Sequence, residues 1–314
     1  MKISVVMATY NGEKYLKEQL DSIRMQTQSI DELIICDDGS RDNTVEIARE
    51  YIASYDLTAS WKVVVNEQNL GYANNFDKVT LLATGDLIFF ADQDDLWRED
   101  KVQIMVDIMT AHEDCRVLCT DYEPFYDGAD APAAPAKVLE KMPDNGMLEK
   151  ISLAPKSVYI GALGCCMCVR RDFYQAIRKY WFDGWAQDDR MWRLSQCADG
   201  CYLLHSNLIQ HRIHGNNTST YGKYHTVEKR LKLFRHMQSA NLEMKKMLEE
   251  YGADGSAVTV MDKHIGMMNH RITMLESGNI LRSIPLVGYL KYYQELKSFL
   301  VEMYIIIKES RITG

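Results

Sequence analysis

The sequence predicts an α/β fold: a mostly parallel sheet flanked by helices, followed by a C-terminal helical appendage. Three observations carry that prediction. Short apolar runs alternate with segments of helical spacing through the first half of the chain. Two of those runs stop abruptly in acidic clusters, Asp37-Asp38 and Asp92-Gln93-Asp94-Asp95. From about His225 the chain becomes rich in Lys, Glu, Met and Leu, with Val227, Leu231, Phe234 and Met237 at helical intervals. Strand–helix alternation implies right-handed crossovers and a parallel sheet covered on both faces.

Ile3 to Ala8 reads as the first strand, Thr9-Tyr10-Asn11-Gly12 as a turn, and Glu13 to Gln26 as a helix with Leu16, Leu20 and Ile23 on one face. Leu33 to Cys36 is a second strand, and Thr44 to Tyr55 a helix turning Val45, Ile47, Ala48 and Ile52 inward. Lys62 to Val65 is a third strand, Asn66 to Tyr72 a loop, Asn74 to Ala83 a third helix, and Leu87 to Ala91 a fourth strand. Asp127 to Pro135 has the Ala, Pro, Gly and Asp content of a surface loop. The apolar, Gly- and Cys-rich stretch from Ser157 to Val169 reads as a strand returning to the sheet, and a helix is expected around Trp181 to Trp192. A boundary near Tyr221 then divides an α/β domain, 1–221, from a helical region, 222–314.

With 314 residues the chain can bury a substantial core. Its formal net charge of −8 leaves no basic surplus to neutralise phosphates, so nucleic acid is not expected as a partner. Met1 leads directly into a strand-like run without a signal-peptide pattern, and no apolar stretch is long enough to span a bilayer. The eight cysteines lie in apolar or helical contexts, and Cys165-Cys166-Met167-Cys168 has no second cluster at zinc-ligand spacing. They are expected to be buried thiols in a reducing cytosol.

Chemistry concentrates where the apolar run Leu87 to Ala91 ends in Asp92, Asp94 and Asp95. Like charges so close to a buried strand repel one another, and a divalent cation is the simplest compensation. Hard oxygen ligands suit Mg2+ or Mn2+, ions that also favour diphosphates. The competing account is a solvated acidic turn capping the next helix. Asp37-Asp38-Gly39-Ser40 can accept hydrogen bonds from a base N–H and from ribose hydroxyls, or can simply start a helix. Ligands of open parallel sheets bind at the carboxyl ends of strands, so both clusters belong to one expected site.

In order along the chain, Ser4 to Gly12, Asp37-Asp38-Gly39-Ser40, Asn69-Leu70-Gly71 and Asp92-Gln93-Asp94-Asp95-Leu96-Trp97 with Lys101 resemble the family 2 glycosyltransferases of the GT-A fold. Gly164-Cys165-Cys166-Met167, Asp188-Asp189-Arg190 and Arg212-Ile213-His214-Gly215-Asn216-Asn217 are similar to the bacterial rhamnosyltransferase-like branch that builds surface polysaccharides. The resemblance covers about residues 1–220. It implies a Rossmann-like GT-A sheet, an Mn2+ or Mg2+ cofactor, a nucleoside-diphosphate sugar donor and a glycan or lipid-linked acceptor. Ala8, Thr9, Tyr10 and Asp38, supported by Asp37, are then expected at the nucleoside, with Asn69 and Gly71 bordering the pocket. Asp92 and Gln93 fall near the ribose, Asp94 and His214 at the metal, and Asp95 is a rival ligand. The resemblance also implies an inverting reaction with an aspartate base. The site reads Gln187-Asp188-Asp189-Arg190, and the spacing to Gly200 favours Asp189 over Asp188.

Two other function classes make different demands on the sequence. A nucleotidyltransferase would show a Gly-rich basic phosphate loop after the first strand, whereas Thr9-Tyr10-Asn11-Gly12 has one Gly and no Arg. A non-catalytic nucleotide-sugar-binding module would lack the metal or base residues, which all stand. In the tail, Leu286 to Ile307 carries a wide apolar and aromatic helical face. It suits packing on the catalytic domain or on a second subunit, or peripheral contact with the inner face of the plasma membrane, the first two being favoured.

Overall fold

Continuous apolar runs, rather than alternating ones, build the centre of the sheet because helices cover both of its faces. The computed structural model describes residues 1–128, 131, 143–215 and 226–313. In chain order the sheet and its helices are β1 (Ile3–Thr9), α1 (Leu16–Arg24), β2 (Glu32–Asp37), α2 (Thr44–Ser54), β3 (Trp61–Val65), α3 (Tyr72–Leu81), β4 (Leu87–Ala91), β5 (Leu96–Trp97), α4 (Lys101–Ala111), β6 (Val117–Tyr126), β7 (Leu148–Lys150), β8 (Met167–Arg170), α5 (Arg171–Ile177), α6 (Gln187–Cys197) and β9 (Cys201–Ile213). Ile3, Val5 and Met7 of β1 pack with Leu16 and Leu20 of α1, Ala48 and Ile52 of α2, and Val102 and Met105 of α4. On the opposite face Phe90 of β4 meets Phe76 of α3 edge-on at 6.2 Å.

The strand order is β3-β2-β1-β4-β8-β6-β9-β5, with β7 also pairing β9. From β3 to β4 every pairing is parallel. Beyond β4 the sheet is mixed: β8 runs antiparallel to β4 and β6, while β6 and β9 are parallel. The four expected strands of the first half are present, and their carboxyl ends all open on one edge of the sheet.

Of the stretch expected as a strand from Ser157 to Val169, only the end belongs to β8. Gly164–Cys166 forms a 3-10 turn instead. This turn packs closely on α6: a methyl group on Gly164 would lie 2.9 Å from Gln187 Nε2 and 3.4 Å from Asp188 Cβ.

The chain divides into two compact units. One comprises Met1–Ile151, Gly161–Ser195 and Gly200–Asn217, the other Ser152–Ile160, Gln196–Asp199 and Thr218–Gly314. The boundary expected near Tyr221 lies outside the described residues, as do Asn216, Asn217 and most of the loop expected from Asp127 to Pro135.

The second unit contains α7 (Val227–Glu250), α8 (Gly255–Ser277), a 3-10 segment (Ile280–Tyr292) and α9 (Leu296–Thr313). The single helical face expected from Leu286 to Ile307 is therefore interrupted. Pro285 lies inside the 3-10 segment, and Ser283, Leu286 and Tyr292 turn inward at multiples of three, the period of a 3-10 helix. Phe234, Met267, Met268, Met274, Tyr293 and Ile306 form the core of this unit. Within it Arg271 and Glu302, both buried, share two hydrogen bonds, with the guanidinium 3.9 Å above Phe234 and 4.6 Å from the Tyr293 ring centre. Glu302→Ala leaves a buried guanidinium without its counter-charge. It should cost about 3–5 kcal/mol, whereas Arg271→Met with Glu302→Leu should recover most of that loss; urea denaturation followed by far-UV circular dichroism measures both.

Candidate active site

At the exit of β2, Asp37 is fully buried and bridges two loops. One carboxylate oxygen accepts from Gly39 N (3.1 Å) and Ser40 N (2.8 Å), the other from Thr9 Oγ1 (2.9 Å) and Ser40 Oγ. Asp38 is also consumed locally. Its Oδ1 accepts from Asn66 Nδ2 and Leu70 N, both at 2.8 Å, and its Oδ2 from Gly71 N at 2.9 Å. Asn69 Nδ2 closes the same loop onto the Asp38 carbonyl at 3.0 Å. Gly71 has φ +77°, which a residue with a side chain adopts only with strain, so this glycine lets α3 begin where it does. Asp38, expected to line the nucleoside, is 3% exposed; what it presents at the cleft is the loop it holds.

The turn after β1 is fixed from the other side. Gln93 Oε1 accepts from Tyr10 N at 2.9 Å and Gln93 Nε2 donates to Tyr10 O at 3.1 Å, so a side-chain amide pairs with a peptide group. Ala8 and Thr9 thus end β1, Tyr10 and Gln93 lie in the loops after β1 and β4, Asn69 and Gly71 lie in the loop after β3, and the Tyr10 ring is exposed.

Between β4 and β5 the chain bends at Gln93 and Asp94, and Asp94 and Asp95 meet different partners. Asp94 Oδ2 lies 2.9 Å from His214 Nε2, and the Asp94 carbonyl accepts from Arg212 Nε at 2.8 Å. Asp95 is fully buried in another direction, with Oδ1 accepting from Arg212 N at 3.1 Å and lying 2.7 Å from His211 Nδ1. The structure therefore separates Asp95 from the Asp94–His214 pair and does not bring the three expected metal ligands together. Burial opposes charge on His211, but Asp95 overrides it and lifts the imidazole to about 9. Burial likewise works against ionised Asp95, and His211 holds that carboxyl below its ordinary value. Asp92, only half-buried by surface, is pushed up to about 8 by desolvation and by the charges of Asp95 and Asp94.

A divalent cation fits the Asp94–His214 pair by donor chemistry. A carboxylate oxygen and an imidazole nitrogen converge there, and the carboxylates of Asp92, Asp95 and Asp188 add negative charge that His211 offsets only in part, since Asp92 stays raised. Among the described residues, Asp95, Cys165 and His211 also converge, with ligand atoms within 4.8 Å of one another. The hydrogen bond with Cys166, together with burial, raises the Cys165 thiol well above its ordinary value, and Asp95 and His211 already bond to each other.

The two candidate bases stand side by side at the start of α6 and differ sharply. Asp189 accepts from Trp185 Nε1 at 2.8 Å on one oxygen and from Arg193 Nε at 2.7 Å on the other. Asp188 accepts the neighbouring Asp189 N–H at 2.8 Å, with its own backbone N–H also bonding to the carboxylate, and is raised to about 6 by burial and by the Asp189 charge. The next turn of α6 is anchored by Arg190, which is buried and donates to Asp77 of α3 at 3.0 Å and to the Tyr174 hydroxyl at 2.9 Å.

His211 and Lys101 have structural parts that the sequence reading did not assign. Lys101 is buried under the site, donates to the Cys165 carbonyl at 3.1 Å, lies 3.5 Å from the Trp97 ring centre and is lowered to about 8 by burial. The signal for His211 was the odd spacing from His214, which matches the adjacent pair Asp94-Asp95.

The family model for glycosyl transferase family 2 matches residues 4–181. An uncharacterized glycosyltransferase of Nostoc sp. is 27% identical over 269 residues, covering 80% of this chain and 77% of that protein. The dTDP-rhamnosyl transferase RfbG of Shigella flexneri is 39% identical over 106 residues, 33% of this chain and 36% of that protein. Among solved structures, Staphylococcus aureus TarS 1–349 in complex with UDP-GlcNAc has a TM-score of 0.62 at 17% identity, covering 100% of this chain and 92% of that one, a likeness of fold.

The Asp38 clamp can be tested without turnover. Asp38→Ala removes the acceptor of the Leu70 and Gly71 amides and should cost about 1–3 kcal/mol. Hydrogen exchange at those two amides should rise by at least about tenfold.

Proposed function

The chain belongs to glycosyl transferase family 2, and on that premise we propose an inverting, metal-assisted transfer of a sugar from a nucleoside-diphosphate donor to an acceptor hydroxyl. The fold is the GT-A arrangement of α and β elements, and the protein is a glycosyltransferase. The donor is proposed to be dTDP-rhamnose or a UDP-sugar, and the acceptor a glycan or lipid-linked glycan of a surface polysaccharide. Similarity to RfbG supports the first donor and the fold of TarS is compatible with the second. Catalysis is assigned to residues 1–221, on the cytoplasmic side where the donor is available.

The observation that carries the reading is the contrast between Asp188 and Asp189. Both oxygens of Asp189 are engaged by Trp185 and Arg193, which suits a residue that orients the start of α6. Asp188 retains acceptor capacity and a carboxyl raised to about 6, so it can take a proton near neutral pH. The base is therefore assigned to Asp188, reversing the preference that spacing alone gave to Asp189. As the acceptor oxygen forms its bond to the anomeric carbon, its proton passes to Asp188 and the bond to the nucleoside diphosphate breaks.

Asp94 and His214 would hold Mn2+ or Mg2+, which when bound stabilises the leaving diphosphate as a Lewis acid. Asp92 is assigned to the ribose side, and Asp95 to holding the His211–Arg212 backbone rather than to the metal. The loops of Thr9 to Tyr10 and Asn69 to Gly71 would flank the nucleoside, with Asp37 and Asp38 fixing their shape.

Asp188→Asn should lower kcat by about two to four orders of magnitude with the fold intact, while Asp189→Asn should cost far less. Since the active form is the carboxylate, kcat/KM should fall as pH drops through about 6, tenfold per unit below it. Retained turnover in Asp188→Asn would return the base to Asp189. A thermal-shift screen of nucleoside diphosphates and nucleotide sugars, with and without Mn2+, should give a donor-dependent rise in Tm that is larger with the ion. No shift with any nucleoside diphosphate would remove the donor assignment.

A further inference from the structure

The second unit exposes apolar side chains in regular rows. In the 3-10 segment Leu281, Ile284 and Val287 recur every three residues, and each is more than half exposed. Because a 3-10 helix repeats every three residues, they form one straight ridge opposite the inward row of Ser283, Leu286 and Tyr292. In α9, Leu296, Leu300 and Tyr304 form a second row at intervals of four, again more than half exposed. Isolated exposed leucines are ordinary, but ordered ridges of this kind mark a contact surface.

The charges around the ridges narrow the partner. Between Asn279 and Lys308 the exposed charged residues are Arg282, Lys291, Lys297 and Lys308, all basic, in a chain whose net charge is −8. The acids of this stretch are withdrawn: Glu302 is buried with Arg271, and Glu295 is only partly exposed, 2.7 Å from Lys297. Arg282, Lys291 and Lys308 make no ion pair with any described residue. A two-fold contact between copies would bring these cations face to face. An anionic lipid surface instead takes up apolar side chains below its headgroups and cations at their level. Among the described residues no helix is long and apolar enough to cross a membrane, so the contact lies along the surface.

We propose that the 3-10 segment Ile280–Tyr292 and helix α9 form a peripheral membrane-docking surface, with Leu281, Ile284 and Val287 inserted among anionic headgroups and Arg282, Lys291 and Lys308 paired to them. It does not depend on the donor or base assignment. If the acceptor is lipid-linked, docking holds the enzyme in the plane where that acceptor is found.

Vesicle flotation of the whole chain, with phosphatidylcholine alone and with added phosphatidylglycerol, tests this without any glycosyl transfer. Binding is expected only to the anionic vesicles, decreasing with salt. Leu281→Gln/Ile284→Gln/Val287→Gln should abolish it, and Lys291→Gln/Lys308→Gln should weaken it about twentyfold at low salt. Circular dichroism and Tm check each variant's fold, and the charge variant alone decides if the apolar one is destabilised. Absence of binding to anionic vesicles, equal binding to neutral ones, or unchanged binding of the folded variants overturns the proposal. So does a concentration-dependent dimer that the apolar variant converts to a monomer, since a second copy is then the occupant.

Discussion

The site depends on keeping carboxylates together at the end of one buried strand. Asp92, Asp94 and Asp95 leave β4 where the chain is least hydrated, and mutual repulsion would splay them if nothing opposed it. The fold answers with the last strand of the sheet. His211 meets Asp95, His214 meets Asp94, and Arg212 binds the backbone between them, so β9 fastens the acidic turn at three points. Arg212 is itself spread over Tyr15 and Phe125 and bonded to Glu18, which extends the clasp to α1 and β6. The result is a division of labour between neighbouring aspartates: one is sealed into the framework and the other is left facing a histidine at the cleft.

The same economy shows at β2. Asp37 and Asp38 spend their charge on backbone amides of the loops that would touch a ligand. Charged groups in these positions shape the cleft through the peptide units they order. Gln93 does the equivalent with a neutral amide against Tyr10. Arg190 couples α6, which bears Asp188, to α3 through Asp77, so α6 and the helix that follows the Asn69–Gly71 loop share a buried ion pair.

The parallel half of the sheet was legible because β1, β2 and β4 are buried on both faces and read as unbroken apolar runs. β6 and β9 were not: Thr120, Asp121 and Glu123, then His205, Asn207, Gln210 and His211, interrupt their apolar pattern. Some of them meet partners far away in sequence, His205 with Asp121 at 2.9 Å and His211 with Asp95 at 2.7 Å, and no local period announces that. The acidic strand ends pointed to the candidate site, since charge at the end of a buried run is visible without a structure. Which aspartate faces the cleft was harder to see. Asp94 against Asp95 follows from a bend at Gln93 and Asp94 that no period announces, and Asp188 against Asp189 turns on the positions of Trp185 and Arg193, side chains whose reach depends on the helix start. The tail misled because its apolar residues fit a period of three before Tyr292 and of nearly four after Leu296, two helices read as one.

The position of β9 has a consequence for how the protein comes into being. During synthesis β4 and its three aspartates emerge more than a hundred residues before His211 and His214, and the strand carrying those histidines must enter between β5, β6 and β7. Until it does, the acidic turn lacks its clasp, and the edge of β6 that β9 will occupy is open. The nascent first unit therefore passes through an interval in which it is both electrostatically strained and able to pair with a wrong strand. A delay in translation between β6 and β9 would lengthen that interval, which places the hazard of aggregation late in synthesis rather than at the start.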